Sequence, residues 1–331
     1  MHKVAFGVRI TRSLKTPRTY AAAGPGIYGG KPYPPEPEIT RYEKVDWSIV
    51  KNVVLECDRL GYDLITVPDH MILGRDRLEA WTTLSALSSI TTRLRLGTMV
   101  LCNEYRHPSV LAKMGATLDF ISSGRLDFGI GAGYQKEEFE AYGIPFLPAS
   151  VRIKRLREAV QIIKKMWTEE APSYIGEHYS IKKAVCEPKP IQKPHPPITI
   201  GGSGDKLLRV SAEFADSVNF IDATVERYRE RLSILEKHCS RIGRDFDEIE
   251  KTWGPWFWIY ADENEFKEKA DESAQRLLKE HEVFMGTPKQ IIDGIQSFVD
   301  IGVTKFQLLF VDLPSLRGIR LFASEVMPHF R

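Results

Sequence analysis

The chain has 331 residues, 43% of them hydrophobic: long for one ordinary domain, normal for an α/β barrel with insertions, and enough to bury a sizeable core. Its 46 basic and 44 acidic residues are interspersed and leave a formal net charge of +2, so no one-sign field favours nucleic acid or an anionic membrane. Cys57, Cys102, Cys186 and Cys239 lie far apart without a CxxC pair, no apolar run approaches the roughly 20 residues of a membrane span, and no signal-like segment opens the chain. A cytoplasmic protein without disulfides or a zinc knuckle is expected.

Lys3 to Ile10 reads as the first strand. Thr11 to Val45 follows, rich in Pro, Gly and Tyr and without periodicity; after a first strand such a loop would lie over a barrel mouth as a substrate lid, or serve equally well as a packing arm. Asp46 caps a helix carrying Val50, Val53, Val54, Cys57 and Leu60, which Gly61 ends. The second strand, Leu64 to Val67, finishes in Pro68-Asp69-His70. Glu79 to Thr91 is helical, and Leu94 to Leu101 is an apolar run of strand length. His107-Pro108 opens a helix with Val110, Leu111, Met114, Leu118 and Ile121 at helical spacing, stopped by Ser123-Gly124. The next strand, Arg125 to Ile130, ends in Gly131-Ala132-Gly133. Two nearly continuous apolar strands joined by a helix make a βαβ unit, whose strands are parallel and covered on both faces.

Ser150 is placed to cap a long helix with Ile153, Leu156, Val160, Ile163 and Trp167 inside. Ala171 to Pro197 is a second irregular insertion before strand five, Ile198 to Ile200. Gly201-Gly202-Ser203-Gly204 leads into a helix with Leu207, Leu208 and Ala212. Strand six is Asp216 to Ile221, and Thr224 caps a helix that Gly243 stops. Thr252 to Tyr260 reads as one strand crowded with Trp253, Trp256 and Trp258, and Asp262 to Glu282 as a charged, solvated helix. Thr287-Pro288 starts a helix, Lys305 to Val311 is strand eight, and Leu316, Ile319, Phe322 and Val326 suggest a closing helix. The alternation predicts the α/β class and a single (β/α)8 TIM barrel over residues 1–331, with insertions at about 11–45 and 171–197.

Ligands meet parallel α/β folds at the carboxyl ends of the strands. Gly201 to Gly204 stands between a strand and a helix start, where free backbone N–H groups can hold an anion; the plainer alternative is a tight turn needing positive φ. Asp69-His70 sets an acid and an imidazole at a strand end, able to exchange a proton at neutral pH or simply to satisfy buried hydrogen bonds. Cys102 and Asn103 follow another strand. Gly131, Ala132 and Gly133, with Gln135 and Glu137 beyond, let backbone approach a planar ligand. His107 is read as a helix anchor, and the tryptophans as barrel filling or helix packing ahead of a pocket wall. Gly129 to Gly133 lacks the spacing of a dinucleotide fingerprint. No histidine pair or cysteine cluster points to a metal, and no GxSxG elbow to a hydrolase.

The stretch LGTMVLCNEYRHPSVLAKMGATLDFISSGRLDFGIGAGYQKEEFEAYGIPF resembles the signature of the bacterial-luciferase-like superfamily, in particular its coenzyme F420-dependent oxidoreductase branch. A thinner likeness runs from Val4 to the C-terminus. The resemblance implies a homodimeric oxidoreductase that moves a hydride between coenzyme F420, a 5-deazaflavin, and an unidentified small organic substrate. The FMN alternative is a two-component monooxygenase fed by a separate reductase, and a third reading is a non-catalytic flavin-binding barrel. By the same resemblance, Gly201, Gly202, Ser203 and Gly204 carry the cofactor's phosphate, Asp69 contacts the ring, and His70 acts in proton transfer. Thr98, Met99, Val100, Cys102 and Asn103 would form a strand-end bulge with a non-prolyl cis peptide at Met99-Val100 behind the ring, against the alternative of a trans peptide in an ordinary strand. In the sugar-phosphate dehydrogenase of this superfamily a glutamate follows the glycine turn. Tyr134 stands there in this chain, which weighs against sugar-phosphate oxidation and leaves His70 without its usual partner.

Overall fold

Apolar strands of four to eight residues alternate with amphipathic helices along the chain, and neither element can bury its apolar side alone. In the computed structural model, which describes residues 4–10, 46–72, 77–221, 224–269 and 283–331, they close into a parallel barrel ringed by helices. The strands are β1 (Ala5–Arg9), β2 (Leu64–Val67), β3 (Arg95–Thr98), β4 (Leu126–Gly131), β5 (Ile198–Gly201), β6 (Ser217–Phe220), β7 (Glu250–Trp253) and β8 (Val303–Phe310). Each pairs with the next, and β8 closes on β1 with Phe306 opposite Phe6 and Leu308 opposite Val8. The helices that follow them are α1 (Trp47–Leu60), α2 (Ala80–Ser88), α3 (Pro108–Ile121), α4 (Ala149–Thr168), α5 (Asp205–Phe214), α6 (Val225–Ile242), α7 (Pro288–Val299) and α8 (Arg317–Glu325). None of the described helices is long and apolar enough to cross a membrane. The 11–45 loop lies outside the described residues, as does most of the charged segment after Lys269.

Local chemistry sets most boundaries. The Asp46 carboxylate accepts from the Ser48 N–H at the start of α1, and Gly61 ends that helix with φ +89°, a conformation that suits glycine. His107 caps α3 by accepting from the Ser109 N–H, the anchoring role expected of it. Ser150, by contrast, is inside α4 and does not cap it. Pro148, with extended ψ, sets the helix start, and its carbonyl takes the Val151 and Arg152 N–H groups. The 171–197 segment is irregular apart from a short hairpin, Tyr174–Ile175 with Ser180–Ile181. The Glu158 carboxylate holds its turn by accepting from the N–H groups of Glu177, His178 and Tyr179.

The seventh strand is where the sequence reading is corrected. The chain leaves the barrel at Gly254-Pro255, and Trp256–Ile259 runs outward to pair with the end of β8 and with Val283–Gly286. Pro255 has no N–H for a ladder, and the Met99 side chain crowds Gly254, reaching 2.3 Å from where a Cβ would stand. The break separates the tryptophans. Trp253 stacks on Phe298 of α7 with ring centroids 3.7 Å apart, and Trp258 stacks on Tyr260, both packing roles. Trp256 turns instead toward the mouth of the barrel.

Charges plug the amino end of the barrel. The Lys305 ammonium lies 3.3 Å from Asp127 and 2.6 Å from Glu250, and Arg95 Nε is 2.7 Å from the same Asp127 carboxylate. Burial pushes the Asp127 pKa up, but the Lys305 and Arg95 charges outweigh it and hold it below its ordinary 3.8. A carboxylate with a depressed native pKa contributes stability that is complete above its unfolded value and is lost as pH falls through the native one. Urea unfolding from pH 7 down to about pH 3 should therefore lose stability mainly below about pH 4, and Asp127→Asn should be less stable at neutral pH and flatter across the acid range.

Candidate functional site

At the opposite end, the carboxyl ends of the strands surround a cavity of about 300 Å3. Pro68, Asp69 and His70 continue β2 into its wall. Asp69 borders the cavity at 4% exposure, with its oxygens engaged: Arg106 donates to both, at 2.6 and 2.9 Å, and the Cys102 N–H donates at 3.0 Å. Arg106 also donates to Glu79, which caps α2. Burial opposes the charge on Arg106, but its bonds to Asp69 outweigh that and raise its pKa, so the guanidinium stays charged. Asp69 thereby fixes the end of β3 against the end of β2.

That strand end is the expected bulge. The Met99-Val100 peptide is cis, and Met99, Val100 and Cys102 all line the cavity. Burial pushes the Cys102 thiol up to about 12, which keeps it protonated and unreactive. Thr98 and Asn103, expected in the same group, are not in the wall. The Thr98 hydroxyl lies behind it, donating to the Gly129 carbonyl at 2.7 Å and accepting from the Gly129 N–H at 2.8 Å, so it stitches β3 to β4. The 3-10 turn Asn103–Tyr105 carries Asn103 out under Tyr179, to which it donates at 3.2 Å, and brings Tyr105 into the cavity.

Glycines make the adjoining wall. Gly131, Ala132 and Gly133 follow β4 and line the cavity, and a Cβ on Gly133 would stand 2.5 Å from the Cys102 sulfur. Gly201 ends β5 with Val100 packed against it: a Cβ there would meet both Val100 methyls at 2.8 Å. Gly201 and Gly202 line the same cavity; Ser203 and Gly204 continue the turn beyond it, to the start of α5. No side chain caps that helix; the Leu207 and Leu208 N–H groups bond the Gly204 carbonyl, and those of Asp205 and Lys206 precede the first bonds within the helix.

His70 lacks the family's usual glutamate directly after the glycine turn, but it has another acidic partner. Glu138, on the short helix Lys136–Ala141, has a side chain 1% exposed and lies 2.9 Å from His70 Nδ1. The same oxygen accepts from the Tyr105 hydroxyl at 3.1 Å, and the other accepts from the Ile72 N–H at 2.9 Å. Burial, followed by the nearby Cys102 and Glu138, raises the Tyr105 pKa and keeps its hydroxyl a donor. Tyr134 does stand beside His70, its hydroxyl 3.4 Å from Nε2. The acid comes from four residues further on, in the short helix that follows the turn. A search confined to the residue after the glycine turn misses it. Arg9, Arg77 and Asn219 also line the cavity without having been singled out. For Arg9 the signal is present in the sequence, as a lone cation closing an apolar strand; its guanidinium donates to the Gly254 carbonyl at 3.1 Å, across the break after β7.

A closed parallel barrel with a cleft at its carboxyl end defines the chain as an α/β-barrel protein with the cavity where such folds meet their ligands. It belongs to the luciferase-like monooxygenase family, whose sequence model matches residues 32–277. It is 29% identical over 310 residues to the F420-dependent glucose-6-phosphate dehydrogenase of Microbacterium testaceum (strain StLB037), a match covering 83% of this chain and 90% of that protein. Two solved structures share the fold. The coenzyme F420 dependent tetrahydromethanopterin reductase from Methanopyrus kandleri superposes with a TM-score of 0.74 at 20% identity, covering 99% of this chain and 100% of that one. The monooxygenase RslO1 from Streptomyces bottropensis gives 0.76 at 22%, covering 99% and 100%.

Proposed function

We propose that the chain is an oxidoreductase that moves a hydride between coenzyme F420 and a small organic substrate. One observation carries the reading: the Val100 side chain, just past β3, packs against Gly201 at the end of β5, and Met99, Val100, Gly201 and Gly202 face one cavity, with His70 on its rim. The residues fit such a group. Side chains at Gly131, Gly133 or Gly201 would crowd the wall, so backbone alone meets a flat ring there, and the uncapped start of α5 suits a phosphate. The relative and the structural neighbour named for F420 support the identity of the cofactor.

When bound, the deazaflavin supplies the hydride chemistry. Met99, Val100, Gly131, Ala132 and Gly133 hold the ring, and Gly201, Gly202, Ser203 and Gly204 hold the phosphate through backbone N–H groups. His70 gives or takes the balancing proton at Nε2. Leu309, Ile221 and Trp256 line the side toward β6 and β8 and keep water from the reacting centre. The reading takes residues 1–331 as one barrel domain and the enzyme as cytoplasmic, and as a homodimer because the family resemblance implies one.

Fluorescence titration of the purified protein with F420 and with FMN tests this directly. F420 should bind at least about tenfold tighter, a difference of ~1.4 kcal/mol. Far tighter binding of FMN would replace the reading with that of a flavin-dependent monooxygenase.

A further inference from the structure

We propose that Glu138 and Tyr134 work with His70 as one proton-handling unit, in which Glu138 is the positioning residue and the Tyr134 hydroxyl passes the proton between His70 Nε2 and a substrate oxygen. The proposal rests on the reading of His70 as the proton-transfer group and assigns the two residues on either side of its ring.

The Glu138 side chain is almost wholly buried. A carboxylate this deep is stable only with its oxygens satisfied, and its donors include the Ile72 N–H, the Tyr105 hydroxyl and His70 Nδ1. If the carboxylate served only to tether the short helix, the Ile72 bond would suffice. Its second oxygen is instead shared by an imidazole and a phenol. Accepting from both requires Glu138 ionised and Nδ1 carrying a hydrogen, and the bond at one ring nitrogen dictates the state of the other. In the neutral ring Nε2 is then bare and available to the cavity, where the Tyr134 hydroxyl is its neighbour at 3.4 Å.

Tyr134 is held for this. Its ring meets the imidazole edge to face, centroids 5.7 Å apart and planes at 85°, while half of the side chain stays open to the mouth of the cavity. In the oxidising direction, a substrate hydroxyl gives its proton to the Tyr134 oxygen as the Tyr134 proton moves to Nε2. The electron pair of the adjacent C–H bond leaves as hydride to the cofactor, and a carbonyl remains. The ring ends with one added proton, its charge balanced by Glu138 at 2.9 Å. The reducing direction reverses each transfer.

Long-range 1H–15N correlation spectra of the full chain, labelled at histidine and recorded without any ligand where the ring is neutral, read the arrangement. Wild type should show His70 with a protonated Nδ1 and a bare Nε2. Glu138→Gln should abolish that preference, so that both tautomers are populated. Tyr134→Phe should keep the Nδ1 proton but shift the Nε2 resonance downfield, through loss of its donor. A wild-type ring protonated at Nε2, an unchanged tautomer in Glu138→Gln, or an unmoved Nε2 resonance in Tyr134→Phe would overturn the proposal. Should Glu138→Gln fail to fold, the wild-type spectrum and Tyr134→Phe decide alone. No cofactor enters the measurement, so failure to bind F420 would sink the cofactor reading and leave this result standing.

Discussion

Replacing His70 by Ala is expected to slow F420-dependent turnover by roughly 10²–10⁴ while leaving F420 affinity within about tenfold, ~1.4 kcal/mol. The split follows from where each function sits. The groups placed to hold the cofactor are backbone, at Met99-Val100, at Gly131 to Gly133 and at the Gly201 turn, and truncating an imidazole on the rim moves none of them. The proton has no such redundancy among the described residues, where the other acids lining the cavity, Asp69 and Glu138, are buried and already bonded to Arg106 and to His70, Tyr105 and Ile72. His70→Ala removes a donor to Glu138, so His70→Asn is the companion variant: its amide can still donate to the carboxylate but offers no titratable nitrogen. Both variants should lose rate together, measured as single-turnover hydride transfer alongside a binding titration. Full turnover in either would rule out His70 as the general acid or base.

The barrel was legible in the sequence because its signals are local: apolar runs of strand length, Gly61 and Gly243 past helix ends, and Asp46 and Thr224 before helix starts. The glycine walls were legible for the same reason, since a position where a Cβ would stand 2.8 Å from the Val100 methyls leaves a mark in composition. What stayed hidden depends on rotation and on distance along the chain. Thr98 and Asn103 lie within a few residues of true wall positions, yet strand alternation and the turn at Asn103–Tyr105 face them elsewhere. Glu138 reaches His70 across 68 positions, and no pattern around either residue announces that meeting. The continuous apolar run from Thr252 to Tyr260 hid a break because Gly254-Pro255 ends the ladder without interrupting the hydrophobicity.

The largest effect on stability should come from a residue that touches neither the proposed ring site nor the phosphate site. Arg106→Ala is expected to destabilise the fold by about 3–5 kcal/mol, because it leaves a charge buried without its partner. The Asp69 side chain is 1% exposed, and without the guanidinium its carboxylate keeps the Cys102 N–H alone. Glu79 loses less: it is 36% exposed and still accepts from the Trp81 and Thr82 N–H groups at the start of α2. The cost therefore lies with Asp69, and the double variant Asp69→Asn with Arg106→Ala should recover much of it by removing the orphaned charge. Urea unfolding of the single and double variants measures the difference. F420 affinity should fall in the single variant as well, since the Asp69 carboxylate that Arg106 holds is what fixes the Cys102 backbone beside the cis peptide. A single variant as stable as wild type would mean that the carboxylate is protonated or hydrated, and that the strand end carrying the Met99-Val100 bulge is held by packing alone.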